Sequence, residues 1–357
     1  MSWKKLRRFT RITFAGILTA IVIIFVGLFI TTSFTPVPFI TLLQEAGMVE
    51  GEVNSFKPKE TPAETVLSDG TLLVSDIQYG DKYPNSFLDI YIPEGQEDTR
   101  RPTILFVHGG GFAWGDKTVG KPKEDDESPH YLRTLAKNGF NVVSINYALT
   151  PEYDYPVPLF QLDQAVKFLQ EYGKEYGLAD EGVIFMGQSA GGQVIGQYVN
   201  IQTNSKYAKQ LNMKPTINLN EIKGVVFNSA LLDGNQMDQT DNGLKNYLFN
   251  AMGRLFFDTD DLKKGYSVDQ SNVIQHMNSN FPPTFITDGN SGSFTEQAKD
   301  LDRRMDELDI PHQFNYYDKK TAKLTHGYES LLTNEYAKKN MEKMLDFLIS
   351  NDVEPIS

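Results

Sequence analysis

Ser189 stands in Gly187-Gln188-Ser189-Ala190-Gly191, directly behind the apolar run Val183-Ile184-Phe185-Met186. A serine between a short strand and a helix, with glycine on each side, sits on a sharp turn with its hydroxyl projecting. The flanking glycines let neighbouring backbone approach closely. A neutral hydroxyl is a weak nucleophile and needs a base within hydrogen-bond reach. His326, in Leu324-Thr325-His326-Gly327-Tyr328, follows the last apolar strand candidate, His312–Tyr317, and is the base expected here. His130 and His276 lie in polar segments, and His312 begins a strand. Upstream, His108-Gly109-Gly110-Gly111-Phe112 follows the run Ile104-Leu105-Phe106-Val107. Three successive glycines expose backbone N–H groups without side-chain obstruction, which suits a developing oxyanion.

Oxyanion loop, then serine, then histidine is the chain order of an α/β-hydrolase. The resemblance extends further. Gly111-Phe112-Ala113-Trp114-Gly115-Asp116-Lys117 and Asn146-Tyr147-Ala148-Leu149-Thr150-Pro151-Glu152, with Tyr155-Pro156-Val157-Pro158 and Asp163, resemble the hormone-sensitive-lipase-like carboxylesterases and related feruloyl and acetyl esterases. The resemblance covers roughly residues 70 to 350. It implies a serine esterase working through an acyl-enzyme without a cofactor, on a small-molecule ester. Gly110, Gly111 and Ala190 would offer the oxyanion amides, while Phe112, Trp114 and Tyr147 would line a pocket or pack under the loop. His108 would shape the loop.

The resemblance falters at the acid. Its expected slot lies three residues beyond Gly289, after the strand Pro283–Asp288, and there stands Gly292. Asp288 is the first choice, Asp233 the second. Glu296 is a third, although Ser293-Phe294-Thr295-Glu296 has capping-box spacing. A non-catalytic binding protein, a peptidase and a sugar-deacetylating esterase on the same fold are the alternatives.

The elements that must position these groups alternate. Thr71–Tyr79 and Phe87–Ile92 suit a first hairpin. Thr103–Val107, Val142–Ile145, Val183–Met186, Val225–Asn228 and Thr284–Thr287 are short apolar runs of the kind covered on both faces. Leu159, Leu162, Val166 and Leu169 recur at helical spacing, as do Phe294 to Leu308 and Ala337 to Leu348. A mostly parallel central sheet with helices on both faces follows, over residues 71–351. The polar stretch 233–280 interrupts the alternation and reads as a helical flap.

Ahead of this domain, Lys4, Lys5, Arg7, Arg8 and Arg11 precede an uncharged stretch from Ile12 to Ile30. Nineteen helical residues reach about 28 Å, close to a bilayer's hydrocarbon core. The expectation is one transmembrane helix at 12–30, with residues 1–11 cytoplasmic, a stalk at 31–70 and the domain extracytoplasmic at the plasma membrane. A cleaved secretory signal is the alternative, with a poor cleavage site at Thr31-Thr32-Ser33.

The chain holds 34 basic and 46 acidic residues for a formal charge of −12, and five of the basic ones lie in that head. Without it, 29 basic residues face 46 acidic ones, a charge of −17, which argues against nucleic acid as a partner. No cysteine is present, so disulfides and thiolate chemistry are excluded. The five histidines are scattered without metal-ligand spacing, so no metal is expected. Gly109–Gly115 lacks the spacing of a dinucleotide-binding turn. Oligomeric state is not legible.

Overall fold

The computed structural model describes residues 27, 30–46, 53–58, 62–93, 102–121, 123, 130–178 and 182–350. The chain divides into two units, Met1–Met48 and Val49–Ser357. In the first, helix α1 (Val37–Glu45) opens with a proline at its N-terminus and buries Ile40. The expected membrane span at 12–30 lies, apart from Gly27 and Ile30, outside the described residues. Among the described residues no helix is long and apolar enough to cross a membrane.

The second unit is a nine-stranded sheet. Its strands are β1 (Ala63–Val66), β2 (Leu72–Gln78), β3 (Phe87–Ile92), β4 (Thr103–Val107), β5 (Asn141–Ile145), β6 (Val183–Gln188), β7 (Ile222–Asn228), β8 (Thr284–Thr287) and β9 (His312–Asn315). Their spatial order is β1-β2-β3-β5-β4-β6-β7-β8-β9. The first three pair antiparallel, and β3 pairs antiparallel with β5. From β5 through β9 every pairing is parallel. Every residue of β4 and β5 is buried, as a strand covered on both faces requires. Successive side chains of β4 serve opposite faces: Ile104 and Phe106 join a core with Leu132, Leu135, Met344 and Leu348.

Helices α2 (Tyr131–Lys137), α3 (Val157–Tyr172), α4 (Ala190–Thr203) and α5 (Ser205–Gln210) follow in order. After β7 come α6 (Gly243–Phe256), α7 (Tyr266–Gln270) and α8 (Val273–His276), then α9 (Thr295–Glu307) and α10 (Glu335–Ser350). The chain leaves β4 for β5 on one side and returns to β6 on the other. That reversal leaves a crevice at the carboxyl ends of β4 and β6, where ligands bind in open α/β sheets. Val107 at the end of β4 is in register with Gly187 in β6. The glycine loop and Ser189 therefore emerge side by side.

Helix α4 has no solvent face: all fourteen of its residues are buried. The segment after β7 covers it. Val273 packs so close to Gly196 that a Cβ there would meet its side chain at 2.6 Å, and Asn200 Nδ2 donates to Val273 O at 2.8 Å. Tyr155 and Tyr207 hydroxyls, at 3.0 and 2.8 Å, satisfy Gln197 Oε1.

The stalk expectation needs correction. Ala63–Val66 is the edge strand of the sheet, and Asn54 bonds both the N–H and the carbonyl of Leu149, at 2.8 and 2.7 Å. Phe56 packs edge-on against Phe87, with ring centres 5.2 Å apart. Strand pairing and long-range hydrogen bonding tie this stretch to the domain, whose boundary lies earlier than residue 71.

Lys117, in the loop that continues the glycine segment, is buried against Asp76 (2.8 Å) and Asp89 (3.0 Å). Its backbone N–H donates to Asn146 Oδ1 at 2.5 Å, so the loop is tied to β2, β3 and β5 together. Removing one member of a buried charge group strands the others. Lys117→Met should cost about 3–5 kcal/mol of unfolding free energy, read as a lowered urea midpoint at unchanged m-value.

Candidate active site

Ser189 lies at φ +52°, ψ −115°, a conformation an L-residue adopts only where its surroundings hold it. The turn is held by its N–H donating to Asn228 O (2.9 Å) and its carbonyl accepting from Leu231 N (3.0 Å). Close approach is the other restraint. A Cβ on Gly187 would overlap the Gly191 carbonyl, and one on Gly191 would overlap that of Val107.

His326 Nε2 stands 2.9 Å from Ser189 Oγ. The loop after β8 anchors the loop that carries it. Asn290 Nδ2 donates to the carbonyls of Tyr317 (2.8 Å) and Ala322 (2.7 Å), while its Oδ1 accepts from Leu324 N at 3.0 Å. Gly289 permits this, since a Cβ there would run into Thr325 backbone. Phe249 and Phe294 stand edge-on to the imidazole at 5.5 and 5.0 Å. Part of the His326 surface still reaches solvent, but these rings enclose it enough that desolvation, then the Lys245 cation, hold its pKa below the ordinary imidazole value.

No carboxylate touches His326 among the described residues. Its Nδ1 lies 2.9 Å from Ser293 Oγ, and Ser293 in turn donates to Asp288 Oδ1. Asp288, expected to orient the imidazole, is thus one hydroxyl removed from it. It is buried, which pushes its pKa well above the usual carboxylate range. Asp233 is not at the site: its carboxylate caps a short turn, accepting from Asn235 N at 3.0 Å and Gln236 Nε2 at 3.0 Å. Glu296 points outward and pairs with Lys299 at 2.8 Å. The capping box does not form either. Phe294 is the residue that caps α9, without a side-chain bond, and the Ser293 hydroxyl is engaged by Asp288.

Gly110 and Gly111 have φ of +98° and +59°. Trp114 backbone would overlap a Cβ on the first, and the Met252 sulfur one on the second. Among the described residues no backbone bond occupies their N–H groups or that of Ala190. Ala190 opens α4, whose N-terminus adds favourable potential for an anion. The three pocket candidates separate. Tyr147 is fully buried, stacked on His108 with ring centres 4.3 Å apart and donating to the carbonyls of His108 and Gly109. Phe112 stacks on Phe256 at 3.5 Å. Both brace the loop. Trp114 is half-buried beside Gly110. The polar stretch after β7 supplies Phe249, Met252 and Phe256 from one face of α6, laid over the base and the glycine loop.

Sequence reasoning missed a second buried carboxyl. Glu329 is fully buried three residues past His326; it accepts from Ser229 Oγ (2.9 Å) and Gln188 Nε2 (3.2 Å), and burial pushes its pKa up to about 7. Ser229 Oγ also accepts the Gly327 N–H at 3.1 Å. A glutamate beside His326-Gly327 was the available signal. A cavity of about 510 Å³ opens on the acid side of His326, lined by Asn290, Ser293, Asp241, Glu296 and Lys299 among others; Ser189 does not line it. Among the described residues no group of three or more His, Cys, Asp or Glu side chains is placed to hold a metal ion.

Comparison with known proteins places this chain in a family. The model of the BD-FAE family matches residues 88–305, from β3 into α9. The chain belongs to the BD-FAE family. BD-FAE domains are α/β-hydrolases, and the sheet described above is that fold. Esterase B from Lactobacillus rhamnosis (HN001) matches 81 % of this chain and 88 % of its own, with TM-score 0.66 at 19 % identity, a likeness of fold. Arylacetamide deacetylase from Oryctolagus cuniculus is 32 % identical over 107 residues, 29 % of this chain and 26 % of that protein. An acetyl esterase from Salmonella paratyphi B is 30 % identical over 103 residues, 29 % of this chain and 28 % of that protein. The matched stretches thus span about a quarter of these curated relatives.

Because both positive φ and close approach forbid a side chain at Gly110, Gly110→Ala should displace the loop. The displacement should appear as a lowered Tm with far-UV circular dichroism retained.

Proposed function

We propose that this BD-FAE protein is a serine esterase that hydrolyses carboxylic esters of small acyl groups. The observation that carries the reading is the 2.9 Å contact between His326 Nε2 and the hydroxyl of Ser189 on its strained turn. Ser189 Oγ attacks the ester carbonyl and its proton passes to His326 Nε2. The carbonyl oxygen, now an anion, is received by the N–H groups of Gly110, Gly111 and Ala190. His326 returns the proton to the departing alkoxide, leaving an acyl group on Ser189. Water then attacks the acyl carbon, with His326 again as base, and the acid is released. None of these steps calls for a cofactor.

Two further facts support small acyl groups. The Met252 side chain sits directly against Gly111, which leaves little room above the glycine loop. Two of the curated relatives bear the names arylacetamide deacetylase and acetyl esterase, beside one named a lipase. The binding-protein alternative has no comparable support, since a ligand site does not need a base within reach of a strained serine.

Ser189→Ala should abolish hydrolysis of p-nitrophenyl acetate and butyrate, and a fluorescent phosphonate should label the wild-type protein at Ser189 alone. A folded Ser189→Ala protein with near-normal turnover would remove the esterase reading.

We further propose that the basic head and the uncharged stretch 12–30 hold the enzyme to the plasma membrane, with the hydrolase outside. Protease added to intact cells should digest the domain while an N-terminal tag survives. Protection of the domain until lysis would reverse that topology.

A further inference from the structure

The acid side of His326 departs from a direct carboxylate–imidazole contact, and the departure has consequences. We propose that Ser293 is a positioning residue interposed between Asp288 and His326, and that the direction of its hydroxyl sets the imidazole tautomer and so switches the base on or off. The inference rests on the esterase reading of Ser189 and His326.

Three observations carry it. Ser293 Oγ contacts both partners, His326 Nδ1 at 2.9 Å and Asp288 Oδ1. Ser293 is buried, with 5 % of its surface exposed, so its hydroxyl is held within the protein between the two. Asp288 is buried to 1 % exposure, and its Oδ2 has no hydrogen-bond partner among the described residues. The Ser293 hydroxyl is therefore the principal side-chain donor to this carboxyl, and it holds only one proton to give.

The chain of bonds has two self-consistent directions. With Asp288 ionised, Ser293 donates to Oδ1 and its lone pair accepts the proton on His326 Nδ1. Nε2 is then bare and accepts the Ser189 hydroxyl. Attack moves the Ser189 proton onto Nε2; the imidazolium keeps Nδ1–H toward Ser293, and the Asp288 charge acts across one hydroxyl. With Asp288 protonated, every bond reverses. The carboxyl donates to Ser293, Ser293 donates to Nδ1, and the ring proton sits on Nε2, where it blocks proton acceptance from Ser189. One proton on Asp288 silences the base without ever charging the imidazole.

The groups around Asp288 determine when that proton arrives. Glu329 and Tyr328 face it from the turn after the base, His326 lies beyond Ser293, and the Lys245 cation approaches from α6. Burial and the Glu329 charge raise the pKa of Asp288; Lys245 opposes them. The active form is present above that pKa and is lost as pH falls through it. The acid limb of kcat/KM belongs to Asp288 and sits above the usual carboxylate range.

The decisive measurement needs no variant. The ¹⁵N shifts of His326, in full-length protein with labelled histidine, distinguish the two neutral tautomers from each other and from imidazolium. The expected result is a neutral ring that passes from Nδ1–H to Nε2–H as pH is lowered. A ring that keeps Nδ1–H until it becomes imidazolium would overturn the switch. Asp288→Asn should fix the Nε2–H form. Ser293→Ala should lower kcat by about 10²-fold or more, toward the ~10⁴-fold of a neutralised triad acid, with KM within about twofold. Ser293→Thr, which keeps the hydroxyl, should restore most of it, and Ser293→Ala with Asp288→Asn should be no worse than the poorer single change. A Ser293→Ala protein with normal kcat and only a lower Tm would reduce Ser293 to a tether. Should the wild-type protein neither label with phosphonate nor hydrolyse any ester, the esterase reading fails, while the ¹⁵N shifts still decide the hydroxyl's role.

Discussion

Ser189 can hold φ +52° and ψ −115° only because backbone closes on it from three directions. Strand β6 delivers it, the carbonyl of Val107 lies against Gly191 on one side, and Asn228 at the end of β7 accepts its N–H on the other. A conformation of this kind costs on the order of 1–3 kcal/mol and survives when the surroundings over-determine it. The glycines are what allow the surroundings so near. Everything else at the site is registered to this turn. The glycine loop leaves the adjacent strand at the paired position, and Ser229 N donates to Thr287 O one strand further on, immediately before Asp288.

The long polar stretch after β7 answers two problems at once. Helix α4, which starts right after Ser189, is buried along its whole length although it contains Gln193, Gln197, Asn200 and Gln202. Buried amides are costly unless bonded, and the segment around Ser271–Val273 together with Tyr155 and Tyr207 supplies much of that bonding. Earlier in the same stretch, α6 lays Phe249, Met252 and Phe256 over His326 and the glycine loop. The polar composition of the stretch reflects the need to satisfy α4 and to face water on the outside. Composition alone therefore concealed how much of its surface is engaged.

What was legible in the sequence was local. The strand-turn-glycine setting of Ser189, the triple glycine and the histidine after the last strand each signal their conformation within a few residues. The parallel strands were legible because continuous short apolar runs have few other uses in such a chain. The edge strand Ala63–Val66 was not, since its residues alternate between half-buried and exposed and look like linker. Asp233 and Glu296 misled for a related reason. Both keep the right order along the chain, but order does not say whether a carboxylate is already committed to a turn or to a neighbouring lysine. Glu329 stood close to His326-Gly327 in the chain, yet like Lys117 it went unread because charged residues are seldom fully buried, and only the fold reveals the partners that make it tolerable.

Ser293 shows the limit most plainly. Its place ahead of Thr295-Glu296 has the spacing of a helix cap, and a serine hydroxyl bonds equally well to a backbone N–H or to a side chain. The choice depends on what else reaches it. Asp288 is fixed at the end of β8, and Gly292 with φ +59° bends the loop so that the fifth residue returns over the strand end. There the hydroxyl meets a buried carboxyl that has no comparable partner, whereas the first N–H groups of an exposed helix can turn to water. The stronger claim wins the hydroxyl. The helix is left without a side-chain cap, and the imidazole meets an oxygen that can both give and take a proton where a carboxylate could only take one.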